Sequence, residues 1–559
     1  MSKARKSGLL RRYPALGFVV AAGVLALLLP TALNVPQSGP TTLAEFAPVP
    51  GAGQGSSDVS DLGQAGSGGL GFGSGTGARG QLPDQADLGK PSQGKARLKR
   101  CVGSPSRQTE DPLSPPCVAF FEGANGGATG KGVTRDEVTA VLWWEGTADA
   151  RAGQFVDCSA APSADDAPED LACKAYTRFF NDRYQTYQRS VRVWAFHKPN
   201  SGNSDNWIAA IDEARKPFAI VATPFTGGSI FGAKAAARGI VSAVYEGAPR
   251  KRYADVSPQL IGFRPDIEHG ARIAASYLCL KLKDRPAQYH GNPIDRTKPR
   301  KFGFYTPGSS EKAQLDAIAS EIKNQCGLTG IVSGEMDTAG LGAAALRDQG
   351  VTTVIAIAPQ SNFTTTTQHA ARSGWFPEWF LPGEPRVRGY DTNYYARLFN
   401  QAEWANAFGI TFEYRRNAAS EQLWYQTARE GCPDCGEPES LYAAVMYDTF
   451  SMLFYGIQSA GPKLTPANID KGMHAIPQLG SPNPYKPAAY FGPGDYSFLK
   501  DAMEMWWDPS GTAPGDPVRG CYRLPNEGAR FRSGEWSSGD NDIQKPGVPC
   551  QGSTNLSNN

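Results

Sequence analysis

The chain has 559 residues, of which 40% are apolar and 20% charged, with a net charge of +2 at pH 7. That length allows several domains and a sizeable core. Near-neutrality, with no long basic run beyond the N-terminus, argues against a nucleic-acid partner, because affinity for phosphate backbones rests on clustered Lys and Arg.

The N-terminus carries Lys3, Arg5, Lys6, Arg11 and Arg12, then an uncharged and largely apolar run from Leu16 to Leu33. The length of the run falls between a signal-peptide core of about 7–15 residues and a membrane span of about 17–25. Residues 14–34 therefore read as an uncleaved signal anchor or as a cleaved signal peptide. The absence of a prompt small-x-small site favours the anchor, and no cysteine follows to accept a lipid. In either case residues 1–13 form a cytoplasmic basic tail, and everything past about residue 35 is extracytoplasmic, by the positive-inside rule. Residues 35–100 are rich in Gly, Ser and Pro, most plainly in GSGGLGFGSGTGARG (66–80). So few large apolar side chains cannot offset the entropy of ordering, which predicts a flexible linker.

The folded region, 101–559, contains all ten cysteines: Cys101, Cys117, Cys158, Cys173, Cys279, Cys326, Cys432, Cys435, Cys521 and Cys550. An even number in an exported chain reads as disulfides. Pairing sequential neighbours closes short loops and is the expected connectivity. Cys432-Pro-Asp-Cys435 also has redox or metal spacing, although a tight structural disulfide accounts for it most simply.

From Val138 onward, short apolar runs alternate with amphipathic ones. Val138–Leu142, Val191–Phe196, Phe218–Ala222 and Gly239–Val244 read as strands. Glu169–Asn181, Ser204–Arg215 (with Ser204 as cap) and Ile230–Arg238 read as helices. A second series begins with a helix capped by Asp266. It continues through the strand Lys301–Tyr305, a helix capped by Ser310 and ended by Gly327, a weak strand Gly330–Val332 and the helix Leu341–Asp348. Val351–Ala358, a helix ending at Gly374 and the strand Trp379–Leu381 complete it. Two βα series predict two lobes, each with a parallel sheet. Beyond Arg388, helices are expected over Thr392–Phe408, Ser440–Ser459 and from Thr465-Pro466, with a strand at Ile410–Phe412. Tyr496–Trp507 reads as partly helical, Cys521–Leu524 as a strand, and Gln551–Asn559 as a frayed end.

Several stretches resemble the type I periplasmic solute-binding proteins of ABC transporters, the branched-chain amino-acid-binding group. GVTRDEVTAVLW (132–143) is similar to that family's opening strand, and QLIGFRPDIEHGARIAASYL (259–278) to its first lobe crossing. FGFYTPGSSEKAQ resembles the first strand and helix of the second lobe, and HAARSGWFPEWFLPGE the last helix and strand of that lobe. SLYAAVMYDTFSMLFYGIQSAG resembles the long returning helix. Together these stretches cover about residues 132–476. The resemblance implies an α/β, two-lobed type I periplasmic-binding-protein-like fold with three crossings and a cleft between the lobes. Lobe 1 is expected over about 132–258 and 388–480, and lobe 2 over about 259–387 plus part of 481–550.

Ligands of open parallel sheets gather beyond the C-terminal strand ends. The candidates there are Trp144, Glu145, Thr223, Phe225, Thr226, Ser229, Tyr245 and Glu246 in the first lobe, with Tyr305, Ser309, Gln360, Ser361 and Glu384 in the second. By the resemblance, Thr226 or Ser229 and the amides near Tyr245 face a ligand carboxylate, and Glu384 faces an ammonium. Gln360-Ser361 departs from the tyrosine common at that place, while Trp144 and Phe225 suit an apolar or aromatic solute. Helix capping explains Thr223, Thr226 and Ser229 equally well. In SGWFPEWFLPGEP (373–385) the aromatics read as core and Glu384 as the cleft-lip carboxylate.

Catalytic patterns are missing: there is no HExxH, no GxSxG and no Gly-rich dinucleotide fingerprint after a strand. Gly227, Gly228 and Gly232 lack the Gly-Lys-Ser/Thr of a phosphate loop. His197 and His269 stand alone in the sequence, and the acidic loop Asp165 to Asp170 reads as solvated surface. The resemblance therefore implies a binder rather than an enzyme, with no cofactor and no metal. It would capture a small solute, an amino acid or related metabolite, for an ABC permease and be tethered by its N-terminal segment. The alternative on the same fold is a membrane-tethered sensor or surface-interaction domain.

Overall fold

The computed structural model describes residues 101–552 apart from 103–106, 109–110, 112, 120, 145–150, 164, 223–227, 308–310, 359, 384–391, 436–437, 439 and 479–486. The N-terminal tail, the anchor or signal segment and the linker thus lie outside the described residues. Among the described residues, no helix is long and apolar enough to cross a membrane.

The first lobe's strands are Glu137–Trp144 (β1), Phe155–Asp157 (β2), Ser190–His197 (β3), Ala219–Ala222 (β4), Val241–Val244 (β5) and Leu260–Gly262 (β6). They lie in the order β2-β3-β1-β4-β5-β6, and only β2 runs antiparallel. Their near-continuous Val, Ile and Ala runs suit strands covered on both faces. The covering helices of the series are Pro168–Arg183 (α1), Ser204–Arg215 (α2), Gly228–Ala236 (α3) and Arg250–Asp255 (α4). Asn203, not Ser204, caps α2, accepting from the amides of Asp205 and Asn206. Both residue types cap well, so the boundary was open by one position.

Asp266 accepts the His269 amide at 2.7 Å and starts Ile267–Tyr277 (α5), the first helix of the second lobe. Then come Phe302–Thr306 (β7), Lys312–Cys326 (α6), Val332–Glu335 (β8), Leu341–Asp348 (α7), Thr353–Ala356 (β9), Gln360–Arg372 (α8) and Glu378–Pro382 (β10). Gly327 ends α6 in the left-handed conformation, φ 66°, which glycine adopts without a Cβ penalty. The residue before α6 is Glu311; Ser310, the expected cap, lies outside the described residues.

Residues 392–408 do not form one helix. They form Asn393–Ala396 (α9), Gln401–Trp404 (α10) and the start of Ala407–Thr411 (β11). Asn400 accepts the amides of Ala402 and Glu403, beginning a new helix where the sequence suggested continuity. Strand β11 pairs in parallel with β10, so the chain returns to the first lobe after residue 411 rather than at 388. There Leu423–Gly431 (α11), Ser440–Ala460 (α12) and Pro466–His474 (α13) join the first lobe's core.

The region after residue 480 completes the second sheet. Ala502–Thr512 (β12), Arg519–Arg523 (β13) and Arg530–Phe531 (β14) add antiparallel strands. The order becomes β8-β7-β9-β10-β11-β12-β13, with β14 on β12. Helix was expected for part of 496–507; pairing with β11 decides for strand, as tertiary context often does. Gln551 and Gly552 are not frayed, because Gln551 N donates to Tyr522 O at 2.6 Å and Gly552 N to Arg416 O at 2.7 Å.

Four disulfides join sequential neighbours: Cys158–Cys173, Cys279–Cys326, Cys432–Cys435 and Cys521–Cys550. Cys117 is disulfide-bonded as well.

In the aromatic stretch, Trp375, Trp379 and Phe380 are core. Trp375 donates to Val351 O at 3.0 Å, and Trp379 packs near Trp404 and Tyr305. Its decisive carboxylate is Glu378. Arg300 grips Glu378 with two bonds of 2.7 and 2.8 Å and reaches Asp540 at 2.6 Å. Thr353 Oγ1 donates to Glu378 at 2.6 Å and the Tyr289 amide at 3.0 Å, so every buried charge is paired. Glu378→Ala would remove the two-bond carboxylate partner of buried Arg300 and leave it Asp540, and urea unfolding should show a loss of about 3 kcal/mol.

Glu403 is the opposite case. Its carboxyl takes Trp379 Nε1 at 3.2 Å, its other oxygen has no partner among the described residues, and burial raises its pKa to about 8. The folded chain keeps this proton while the unfolded chain releases it in the ordinary carboxylate range. Its contribution is therefore complete at low pH and lost as pH rises to about 8. Thermal unfolding across that window should show a shallower pH dependence for Glu403→Gln than for the wild type.

Candidate functional site

Both sheets repeat one parallel order: the second strand lies outside the first, followed by the third, fourth and fifth (β3-β1-β4-β5-β6 and β8-β7-β9-β10-β11). In such an order the crevice opens between the first and third strands, at their carboxyl ends. In the first lobe those ends are Trp144 and Ala222, and in the second Thr306 and Ala356. The candidates that follow them, Glu145, Thr223, Phe225, Thr226 and Ser309, lie outside the described residues, as does Glu384 beyond β10.

The described candidates divide into three groups. Trp144 and Tyr305 are not lip residues. Trp144 belongs to the first lobe's core with Cys158 and Cys173, and Tyr305 to the second lobe's core beside Trp379. A strand alternates its side chains between faces, and in these sheets both faces are covered, so a strand-end aromatic turns inward. Burial pushes the Tyr305 hydroxyl up to about 12, as such a position requires. Gln360 and Ser361 open α8, with Ser361 exposed.

Ser229, Tyr245 and Glu246 form the third group, and the structure does bring them to one end of the sheet. Ser229 stands in the first turn of α3, and its amide donates to Glu246 Oε2 at 3.3 Å. Arg252 donates to Ser229 Oγ at 3.3 Å. Tyr245, at the end of β5, donates its hydroxyl to Glu413 at 2.7 Å.

Glu413 is the residue that sequence reading missed. It follows β11 and forms an ion pair with Arg264, which follows β6, and with Arg416 at 3.4 Å. Arg264 donates to the Tyr245 oxygen at 3.1 Å and lies 4.8 Å from its ring centre, while Tyr245 stacks on Phe263. Next to Glu413, Tyr414 donates to Asp448 of α12 at 3.3 Å. Burial raises the Asp448 carboxyl to about 8, against the pull of Arg264, the Tyr414 hydroxyl and Arg416, with buried Asp111 pushing the same way as burial. A usable signal was present: Phe412-Glu-Tyr-Arg-Arg416 packs three charges directly behind a buried strand, and Phe263-Arg264 ends another.

These residues mark the passages between lobes. The chain crosses after β6, after β11 and again before β12. The first and third crossings run side by side, with Leu499 N donating to Phe263 O at 3.0 Å and Ser497 Oγ to Asp266 at 3.3 Å. Arg530 spans the second and third: it donates to the Phe412 and Glu413 carbonyls and pairs with Asp501 at 2.7 Å. His269, in the first turn of α5, contacts Lys500 O at 3.1 Å, a structural role. Burial, then the Lys500 charge, holds its pKa below the usual histidine range. His197 is not isolated; its Nε2 lies 3.3 Å from Asp170 Oδ1, deep beside α1. Among the described residues no cluster of His, Cys, Asp and Glu has the grouping to hold a metal.

The sequence matches no protein-family model and no curated protein. The fold is similar to solved structures. A solute-binding protein of an ABC transporter from Rhodopseudomonas palustris BisB5, in complex with 3,4-dihydroxybenzoic acid, shares 10% identity over 74% of this chain and 99% of that chain, TM-score 0.45. A substrate-binding protein from Desulfitobacterium hafniense, in complex with Leu, shares 12% over 69% and 100%, TM-score 0.44. A fatty acid ABC transporter substrate-binding protein from Thermomonospora curvata shares 11% over 72% and 95%, TM-score 0.46. The assignment of this chain as a two-lobed α/β fold rests on its own two sheets and three crossings.

The crossing cluster generates a specific expectation. Glu413→Gln removes the carboxylate that Arg264 and Tyr245 share. Hydrogen exchange should accelerate by at least about tenfold over 263–266 and 412–416, with the strands of both sheets unchanged.

Proposed function

We propose that this chain is an extracytoplasmic solute-binding protein that captures a small solute between its lobes and delivers it to an ABC permease. The observation that carries this reading is the pairing of two separately cored α/β lobes through three crossings at the carboxyl edges of their sheets. Such an arrangement lets ligand contacts with both lobes favour a closed state over an open one. The solute class is an amino acid or related metabolite, with Glu145, Thr223, Phe225, Thr226, Ser309, Gln360, Ser361 and Glu384 as the residues nearest to it. Binding rather than catalysis needs no nucleophile, cofactor or metal. The paired cysteines suit an oxidising compartment, with residues 14–34 as anchor, or as a signal whose removal releases the protein, and 35–100 as the tether.

A second reading is a tethered sensor or interaction domain on this fold. It is favoured by the Ser229 amide being taken by the chain's own Glu246. Native mass spectrometry of the exported protein separates the two. A co-purified small molecule that raises the melting temperature when added back supports solute capture. Apo protein that no broad metabolite panel stabilises would leave the interaction domain.

A further inference from the structure

A π-helical turn, Leu278–Leu282, follows α5 and carries Lys281, whose side chain is 1% exposed. Its Nζ holds two carboxylates at once: Glu504 of β12 at 3.0 and 3.2 Å, and Asp542 at 2.9 Å. Glu504 is fully buried, whereas the Asp542 side chain is 37% exposed. Tyr277 donates to Glu504 Oε1 at 2.5 Å, and its ring centre lies 5.7 Å from Nζ. Phe380 stacks on that ring and Trp536 meets it edge-on, so the nitrogen has an apolar setting. Burial holds the Glu504 carboxyl at about 7, against the pull of Lys281 and Tyr277. Such a group takes up and releases a proton near neutrality.

Two other buried cations lack the full set. Arg300 also holds two carboxylates, Glu378 and Asp540, but a guanidinium stays protonated and is no nucleophile. Lys500 donates to Ser497 O and Oγ and pairs with one carboxylate, Asp495. At Lys281 an amine, a carboxyl group to attack and a buried proton carrier meet at one atom. Reacting groups held in contact reach effective concentrations of about 10⁵–10⁸ M, which favours a condensation that free groups in water do not undergo.

We propose that Lys281 and Asp542 form an intramolecular isopeptide bond, with Glu504 as the catalytic proton carrier. One ammonium proton passes to the Asp542 carboxylate, and the freed lone pair of Nζ attacks Cγ. Glu504 takes a second proton from the nitrogen and yields it to the departing hydroxyl. The Cγ–O bond breaks with its electron pair on oxygen, and one water leaves by the exposed side of Asp542. Ammonium and carboxylate thus become amide and water. Glu504 returns to its starting state, and nothing is oxidised or reduced. The bond fastens the end of the chain to the first helix of the second lobe, whether or not the cleft takes a solute.

Peptide mapping by mass spectrometry of the full chain, reduced and denatured before digestion, tests this. Trypsin should release from the wild type a branched peptide that joins residues 273–283 to 533–559 and is one water lighter than the two together. Lys281→Arg and Asp542→Ala should give no branched peptide. In Glu504→Gln the branched fraction should fall at least about tenfold. If Glu504→Gln does not fold, Glu504→Asp carries this arm, because it keeps the charge but draws the carboxyl back by one methylene. Linear wild-type peptides at full mass overturn the proposal and leave an ion pair only. Water lost from a linear 533–559 peptide marks a cyclic imide and overturns it as well. An undiminished branched fraction in the Glu504 variant overturns the role of Glu504. The wild-type map decides the bond by itself, so it does not depend on any variant folding.

Discussion

Chain that leaves or enters a sheet at the carboxyl edge of its parallel strands must satisfy its backbone polar groups without the ladder, and here this happens three times in one narrow seam, twice on leaving and once on entering. A buried carbonyl without a donor costs free energy comparable to a lost hydrogen bond. Arg530 supplies the donors for the second crossing, at Phe412 and Glu413, and is held in place by Asp501 of the third. Because Arg530 is fully buried, its charge is acceptable only with that carboxylate beside it. The lobes, the cleft and any motion between them depend on this arrangement.

The same requirement explains the last seventy or so residues, whose sequence carries little periodic pattern. They widen the second sheet by antiparallel strands and close their own end with Cys521–Cys550. Asp540 and Asp542 then neutralise Arg300 and Lys281 beneath the second lobe. Lys281 is also shared with Glu504, whose carboxyl burial raises to about 7 against the pull of that lysine and the Tyr277 hydroxyl. Buried pairs of this kind add less to net stability than to uniqueness of the arrangement, since either partner alone is costly inside.

Around Tyr245 the polar side chains tie the crossings to one another. Tyr245, Arg264 and Arg416 all converge on the Glu413 carboxylate, and Arg264 also donates to the Tyr245 oxygen.

The sequence alone determined the βα alternation, the two-lobe division and the caps Asp266 and Thr465. Apolar runs such as Val351–Ala358, caps such as Asp266 and Thr465, and stops such as Gly327 act through neighbouring residues, so they are legible locally. It also located the strand ends at which Ser229, Tyr245 and Glu246 cluster. Only the tertiary structure decided that 502–512 is a strand, that 407–411 belongs to the second lobe and that Trp144 and Tyr305 turn into cores. Partners far along the chain made those decisions. The pairing of Glu413 with Arg264 and Tyr245 likewise spans about 150 residues, and local pattern says nothing about which charges will meet across such a distance.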